Sequence, residues 1–222
     1  FFELSLEMLK TMPDHQELES LDLIRRKSMV IPIGVDFPNS TTDENLRVEH
    51  SILWNHRWEY DKNPEDFYHS LRLLDEGSFD FSLFLIGQKR TKYPKAFDQM
   101  MEHFNSKVKH LSPVDDRSSY LNILAKSDYQ IVTSNHDFFG ISVIEAMNLG
   151  VIPILPKRLV YPEHLDNEIK FLLYENISEI PNLVNRIEQM DKRLLRLKIQ
   201  KSVSRYSWCH TRKLYEDIFI MN

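Results

Sequence analysis

Residues 129–156 read YQIVTSNHDFFGISVIEAMNLGVIPILP. The short apolar run Tyr129 to Val132 reads as a buried strand. Thr133 to Asp137 is a polar loop. After Phe138, Phe139 and Gly140 the pattern restarts as a helix, apolar at Ile141, Val143, Ile144, Ala146, Met147 and Leu149. Gly150 ends it, and Val151 to Leu155 is a second apolar run. Strand, loop, helix and strand in that order build a parallel sheet with both faces covered.

The helix has three polar exceptions, Ser142, Glu145 and Asn148, which stack along one side. Such a stripe faces water or a ligand, and a solvated edge is the ordinary reading. Position favours the ligand. In open α/β sheets, ligands sit beyond the carboxyl ends of strands, against helix N-termini whose free N–H groups favour anions. Asp137 and Glu145 lie near that end, and their negative charge suits hydroxyl groups better than phosphate. A carboxylate accepts hydrogen bonds from neighbouring hydroxyls, as when ribose or hexose rings are held.

With 222 residues the chain is long enough to bury a real core in one domain with a small appendage. Hydrophobic content of 42% is that of a globular protein. No apolar run is long enough to span a bilayer and the start lacks a signal-peptide pattern, so no membrane association is expected. The single cysteine, Cys209, excludes an internal disulfide and fits a reducing, cytoplasmic compartment. No tight metal-ligand cluster is seen; His103 and His110 read as surface residues. A net charge of −5 is no signature of bulk electrostatic binding to nucleic acid. Basic residues do cluster at Arg25 to Lys27 and from Lys192 to Arg212, either as solvated faces or as a nucleic-acid contact.

In chain order, Phe1 to Thr11 is a helix that Pro13 stops. A polar stretch runs to Lys27, Met29 to Val35 is strand-like despite Pro32, and Asp36 to Glu49 reads as a linker. Residues 1–49 are thus expected to be the tail of a missing N-terminal domain plus a linker. Strands follow at Ser51 to Trp54, Phe81 to Ile86 and Val108 to Leu111, and a sixth at Ile169 to Tyr174. Asn63, Pro64, Glu65 and Asp66 are a strong helix start, with Phe67, Leu71 and Leu74 inward and Gly77 at the end. Further helices are expected over Pro94 to Phe104, Asp115 to Ala125, Ile177 to Met190 and Asp191 to Val203. The alternation predicts an α/β, Rossmann-like, doubly wound parallel sheet of about six strands with helices on both faces over residues 50–205. Residues 206–222 form a C-terminal helix, capped by Ser207.

With five glycines there is no GxGxxG, and no GxxxxGK[ST] either, so a bound nucleotide would have its phosphates held by side chains. The loop after the first strand, NHRWEYDK at 55–62, offers Arg57 and Lys62 at a strand's carboxyl end. A planar fork and a compact charge could clamp a diphosphate. The alternative is a surface ion-pair cluster with Glu59 and Asp61, worth little.

HDFFGISVIEA with GVIPILP resembles the donor segment of retaining GT-B glycosyltransferases, where two acids eight positions apart flank a Phe-Gly turn. NHRWEYDK resembles their Arg…Lys diphosphate clamp. ILWNHRWEYDKNPEDF and HDFFGISVIEAMNLGVIPILPKRLVYPE are more similar still to glycosyltransferase-like proteins identified as tRNA-queuosine α-mannosyltransferases, as are PDH at 13–15 and YSW at 206–208. The resemblance implies that Arg57 and Lys62 neutralise a diphosphate leaving group. It implies that Asp137 holds hydroxyls of the transferred sugar and Glu145 the ribose. Backbone N–H groups of Phe139, Gly140 and Ile141 would add anion stabilisation, with the base against Leu111 to Val114. His136 either lines the sugar site or is an ordinary loop histidine. Asp137 stands where the family pattern has Glu, a shorter arm. The implied donor is GDP-mannose, with no metal and no other cofactor, and the implied acceptor is queuosine-modified tRNA, bound through a domain not in this chain. This chain alone is then expected to bind donor but turn over poorly. The alternative is a non-catalytic nucleotide-sugar or nucleic-acid binding module.

Overall fold

A computed structural model describes residues 2–14, 16–38, 44–89, 92–111, 114 and 116–220. The first residue of the expected N-terminal helix, His15, part of the 36–49 stretch, Asp115 at its expected helix start, and residues 112–113 of the expected base site lie outside them. The chain forms two compact units, residues 1–32 with 213–222, and residues 33–212.

Unit two holds strands β1 (Ser51–Trp54), β2 (Ser82–Leu85), β3 (Val108–Leu111), β4 (Tyr129–Ile131), β5 (Ile152–Pro156) and β6 (Leu173–Tyr174). Among the described residues they form one parallel sheet in the order β3-β2-β1-β4-β5-β6. Period-two alternation decides which side chains go to which face. Ile52 and Trp54 of β1, with Leu83 and Leu85 of β2, enter the larger core cluster, and Leu53 and Phe84 enter the second. The larger core is closed by α3 (Pro64–Glu76), α4 (Ala96–Phe104), α7 (Ile180–Glu188) and α8 (Lys192–Val203), and the second by α5 (Arg117–Lys126) and one side of α6 (Ile141–Asn148). The expected doubly wound sheet is the observed one.

The start of α3 shows how sequence dictates a boundary. Asn63 takes the left-handed conformation at φ 51° and its side chain accepts the Asp66 N–H, while Pro64 supplies the first helical residue. Phe67, Leu71 and Leu74 are buried as their spacing requires.

Three expectations fail. Leu18–Arg26, read as a polar stretch, is the helix α2; Leu18, Leu21 and Ile24 recur at helical spacing, although none of its residues is buried. Met29 to Gly34 is not a strand, because no neighbour among the described residues offers a ladder and Pro32 lacks a donor; Val35 alone of the run forms a described bridge, to Ser207. Asn167–Leu172 is 3-10 helical, and β6 keeps just the last two residues of the run Ile169 to Tyr174. A short apolar run does not by its periodicity choose between these states.

Unit one contains α1 (Phe2–Lys10), α2 and the final residues of α9 (Trp208–Ile220). No helix among the described residues is long and apolar enough to cross a membrane.

Candidate functional site

The sheet order reverses direction between β1 and β4, since successive strands are added to one side after β1 and to the other after β4. Loops leaving these two strands diverge and open a crevice at their carboxyl ends. A cavity of about 490 Å³ lies there. Asn55, His56, Arg57 and Lys62 line it from the loop after β1. Asp137 through Ser142 line it from the loop after β4 and the first turn of α6.

The two loops are stitched together. Asn135 donates its N–H to the Asp61 carbonyl at 2.8 Å. The Thr133 hydroxyl reaches the carbonyls of Lys62 and Asn63 at 3.0 and 2.8 Å. From below, the Arg158 guanidinium donates to the Thr133 and Ser134 carbonyls. Side chains carried on this base are therefore held by main chain rather than by their own packing.

Arg57 and Lys62, about eighty residues before α6 in sequence, face the same cavity but in different states. Arg57 is half exposed and pairs with Glu59 at 3.2 Å. Lys62 is buried; its ammonium donates to the His136 carbonyl at 2.9 Å and stands 3.2 Å from Asp61 and 3.6 Å from Asp137. The ion pairing of the alternative reading is present at both residues, and both line the cavity.

Each oxygen of the Asp137 carboxylate already accepts one hydrogen bond. Its Oδ1 accepts the Gly140 N–H at 3.0 Å and its Oδ2 accepts the Tyr161 hydroxyl at 3.1 Å. The short arm thus folds back onto the start of α6, where Gly140 sits at φ 71°. One of the three amides expected to face an anion, that of Gly140, is given to this carboxylate. The Phe139 carbonyl accepts from His164 Nε2 at 2.8 Å, so the ring's other nitrogen accepts from the Tyr206 hydroxyl 3.2 Å away. Burial holds the His164 pKa down to about 4, which keeps this neutral tautomer at neutral pH.

Glu145 lies one turn further along α6 than Ser142. Arg117 pairs with it at 2.6 Å and the Tyr120 hydroxyl donates to it at 2.9 Å. Asn55 joins this group to the cavity, donating to Tyr120 and to the Ser142 carbonyl and accepting from Gln130 of β4. His136 is exposed, its ring 4.8 Å from that of Phe138. Leu111 is exposed at the end of the edge strand and Val114 packs on the second core cluster. Of the residues singled out from sequence, Arg57, Lys62, Asp137, Phe139, Gly140 and Ile141 share the cavity, whereas Glu145, His136, Leu111 and Val114 do not line it. Sequence reasoning passed over Asn55 and His56. Their place directly after a central strand was the available signal.

Residues 45–202 match the family described as Glycosyl transferases group 1. The chain belongs to this family. A tRNA-queuosine alpha-mannosyltransferase of Drosophila melanogaster is 32% identical over 166 residues, covering 70% of the chain and 44% of that protein. The chain therefore spans less than half the length of this curated relative. Solved structures with the same GT-B fold include a sucrose-phosphate synthase from Thermosynechococcus elongatus, at TM-score 0.66 and 19% identity over 92% of the chain and 57% of that structure. The C-terminal domain of a glycosyl transferase group 1 family protein from Francisella tularensis matches at TM-score 0.59 and 16% identity, over 78% of the chain and 96% of that domain. As a group 1 glycosyl transferase domain, the chain carries its family match over the sheet and both loops of the cavity.

Proposed function

We propose that the cavity binds the diphosphate and sugar of a nucleotide-sugar donor, GDP-mannose, and that the complete protein transfers mannose with retention to queuosine-modified tRNA in the cytoplasm. The observation that carries this reading is the convergence of Arg57, Lys62 and the first turn of α6 on one cavity at the switch point of the sheet. Support for the sugar and acceptor comes from the 32% identical mannosyltransferase.

In this reading Arg57 swings from Glu59 to the diphosphate, its exposure leaving it free to do so. Lys62 is fixed in place and supplies a second charge. Both interactions strengthen as the glycosidic bond breaks and the leaving group gains charge, which is where stabilisation accelerates transfer. A carboxylate has about four acceptor positions, so Asp137 can keep its bonds to Gly140 and Tyr161 and still accept from a sugar hydroxyl. Glu145, oriented by Tyr120 and Arg117, takes the ribose hydroxyls. No metal or other cofactor is assigned a step, and the acceptor tRNA is bound by a part of the protein outside this chain.

Calorimetric titration with GDP-mannose, GDP, UDP-glucose and UDP tests the reading. Guanosine ligands should bind preferentially, and Arg57→Ala should weaken them. Preference for uridine would remove the mannosyl assignment, and binding of none of the four would remove the donor site itself.

A further inference from the structure

His56 is 4% exposed and lines the cavity together with Lys62. Its Nδ1 lies 3.3 Å from the Ser142 hydroxyl, while its Nε2 is buried without a hydrogen-bond partner among the described residues. An unpaired buried nitrogen is unfavourable, and folded proteins keep few of them.

The ring has little freedom to escape. The His56 carbonyl accepts the indole N–H of Trp54 at 2.8 Å, and the Trp54 ring stands edge-on at 5.4 Å. Gly87 presses on the same carbonyl so closely that a Cβ there would lie 1.6 Å from the oxygen. The backbone is clamped from two sides, which fixes the place of the imidazole in the cavity wall.

Burial, and after it the charge of Lys62, hold the His56 pKa down to about 4 against the weaker pull of Asp137 and Asp61. The ring is therefore neutral at neutral pH. If the Ser142 hydroxyl donates to Nδ1, the proton sits on Nε2, which is then a buried donor with no partner among the described residues. A neutral N–H can take an anionic oxygen without placing another buried cation beside Lys62.

We propose that His56 is a ligand of the donor, its Nε2–H bonding to an oxygen of the diphosphate held between Arg57 and Lys62. The proposal rests on the nucleotide-sugar reading of the cavity and adds to it a residue that is neither of the charged clamp nor of the acidic pair.

The test titrates GDP and inorganic pyrophosphate into the unsubstituted chain and into His56→Gln, His56→Asn and Arg57→Ala. A Gln amide reaches the Nε2 position, whereas an Asn amide reaches only the Nδ1 position. His56→Asn should weaken both probes by about tenfold, and His56→Gln by no more than about threefold. Equal losses in the two variants, or none in His56→Asn while Arg57→Ala loses binding, overturn the proposal and leave the donor reading standing. No binding of either probe by the unsubstituted chain overturns both. Should His56→Asn fail to fold, the imidazole nitrogen resonances of the unsubstituted chain decide the matter. The Nε2 signal should move on adding GDP, and an unmoved signal refutes the contact.

Discussion

The Lys62 ammonium stands 3.6 Å from the Asp137 carboxylate, and this pair joins the loop after β1 to the loop after β4. The two strands are neighbours in the sheet but far apart in the chain, so the contact exists solely because the sheet order reverses there. Lys62 is consequently part of the scaffold as well as part of the cavity wall, and Arg57 is not.

That difference separates two substitutions. Lys62→Ala removes the partner of a mostly buried carboxylate and should cost about 3 kcal/mol of stability, alongside loss of GDP binding. Arg57→Ala breaks one exposed pair, worth at most about 1 kcal/mol, and should weaken GDP binding with little change in the thermal midpoint. Paired calorimetric and thermal unfolding measurements distinguish them. A large midpoint drop in Arg57→Ala would contradict this division.

Two glycines should respond to an added methyl for different reasons. At Gly140 the backbone φ of 71° is the difficulty, and Gly140→Ala should lose about 1–2 kcal/mol. At Gly87 the difficulty is space, since the Cβ would overlap the His56 carbonyl. Gly87→Ala should be the more damaging, with both the folded yield and GDP binding reduced. Urea midpoints for the two variants, ranked in the opposite order, would show that the loop at 56 can shift.

Stability should fall with acidification between about pH 6.5 and pH 4. His56 and His164 have folded-state pKa values of about 4 against an ordinary 6.5. In that window the unfolded chain binds protons that the native chain does not, so their contribution is complete above pH 6.5 and disappears by pH 4. Each ring accounts for about 3 kcal/mol at most. His164→Gln, which removes one titration, should reduce the pH slope of the urea midpoint from about two protons to about one. An unchanged slope would mean that His164 does not titrate as its burial requires.

A control lies at the opposite end of the sheet. Asp128, just before β4, is 1% exposed; it accepts the His50 N–H at 2.9 Å and pairs with Arg196 and with Lys192. Asp128→Ala leaves two cations without this partner and should cost about 3–5 kcal/mol. GDP affinity of the folded fraction should stay within about twofold, because the sites are distant and share no partner. Loss of binding in parallel with stability would indicate that the two ends of the sheet are coupled.

Much of this was legible from residue order. The limits of β1 and β3, the capped start of α3 and the strand–loop–helix–strand unit around Gly140 follow from apolar spacing and cap chemistry, which act over a few residues. The misread Asn167–Leu172 segment lies where those local signals are weak, since a short apolar run fits more than one conformation; α2, by contrast, carries apolar residues at helical spacing, Leu18, Leu21 and Ile24, that a reading by polarity alone passes over. Arg47 is a further case. It sits in a stretch read as linker, yet its guanidinium donates to the Ser127 and Leu149 carbonyls, contacts between residues dozens of positions apart.

Composition and periodicity thus set the elements and the charged residues available at the ends of the strands, since propensity, capping and amphipathic patterning are properties of neighbouring residues. The order of the strands belongs to the tertiary structure alone. So do the stitching of the two loops, the inward fold of the Asp137 carboxylate and the orphaned nitrogen of His56. Each depends on which distant segments share the limited space above β1 and β4, and on which buried polar atoms find partners there.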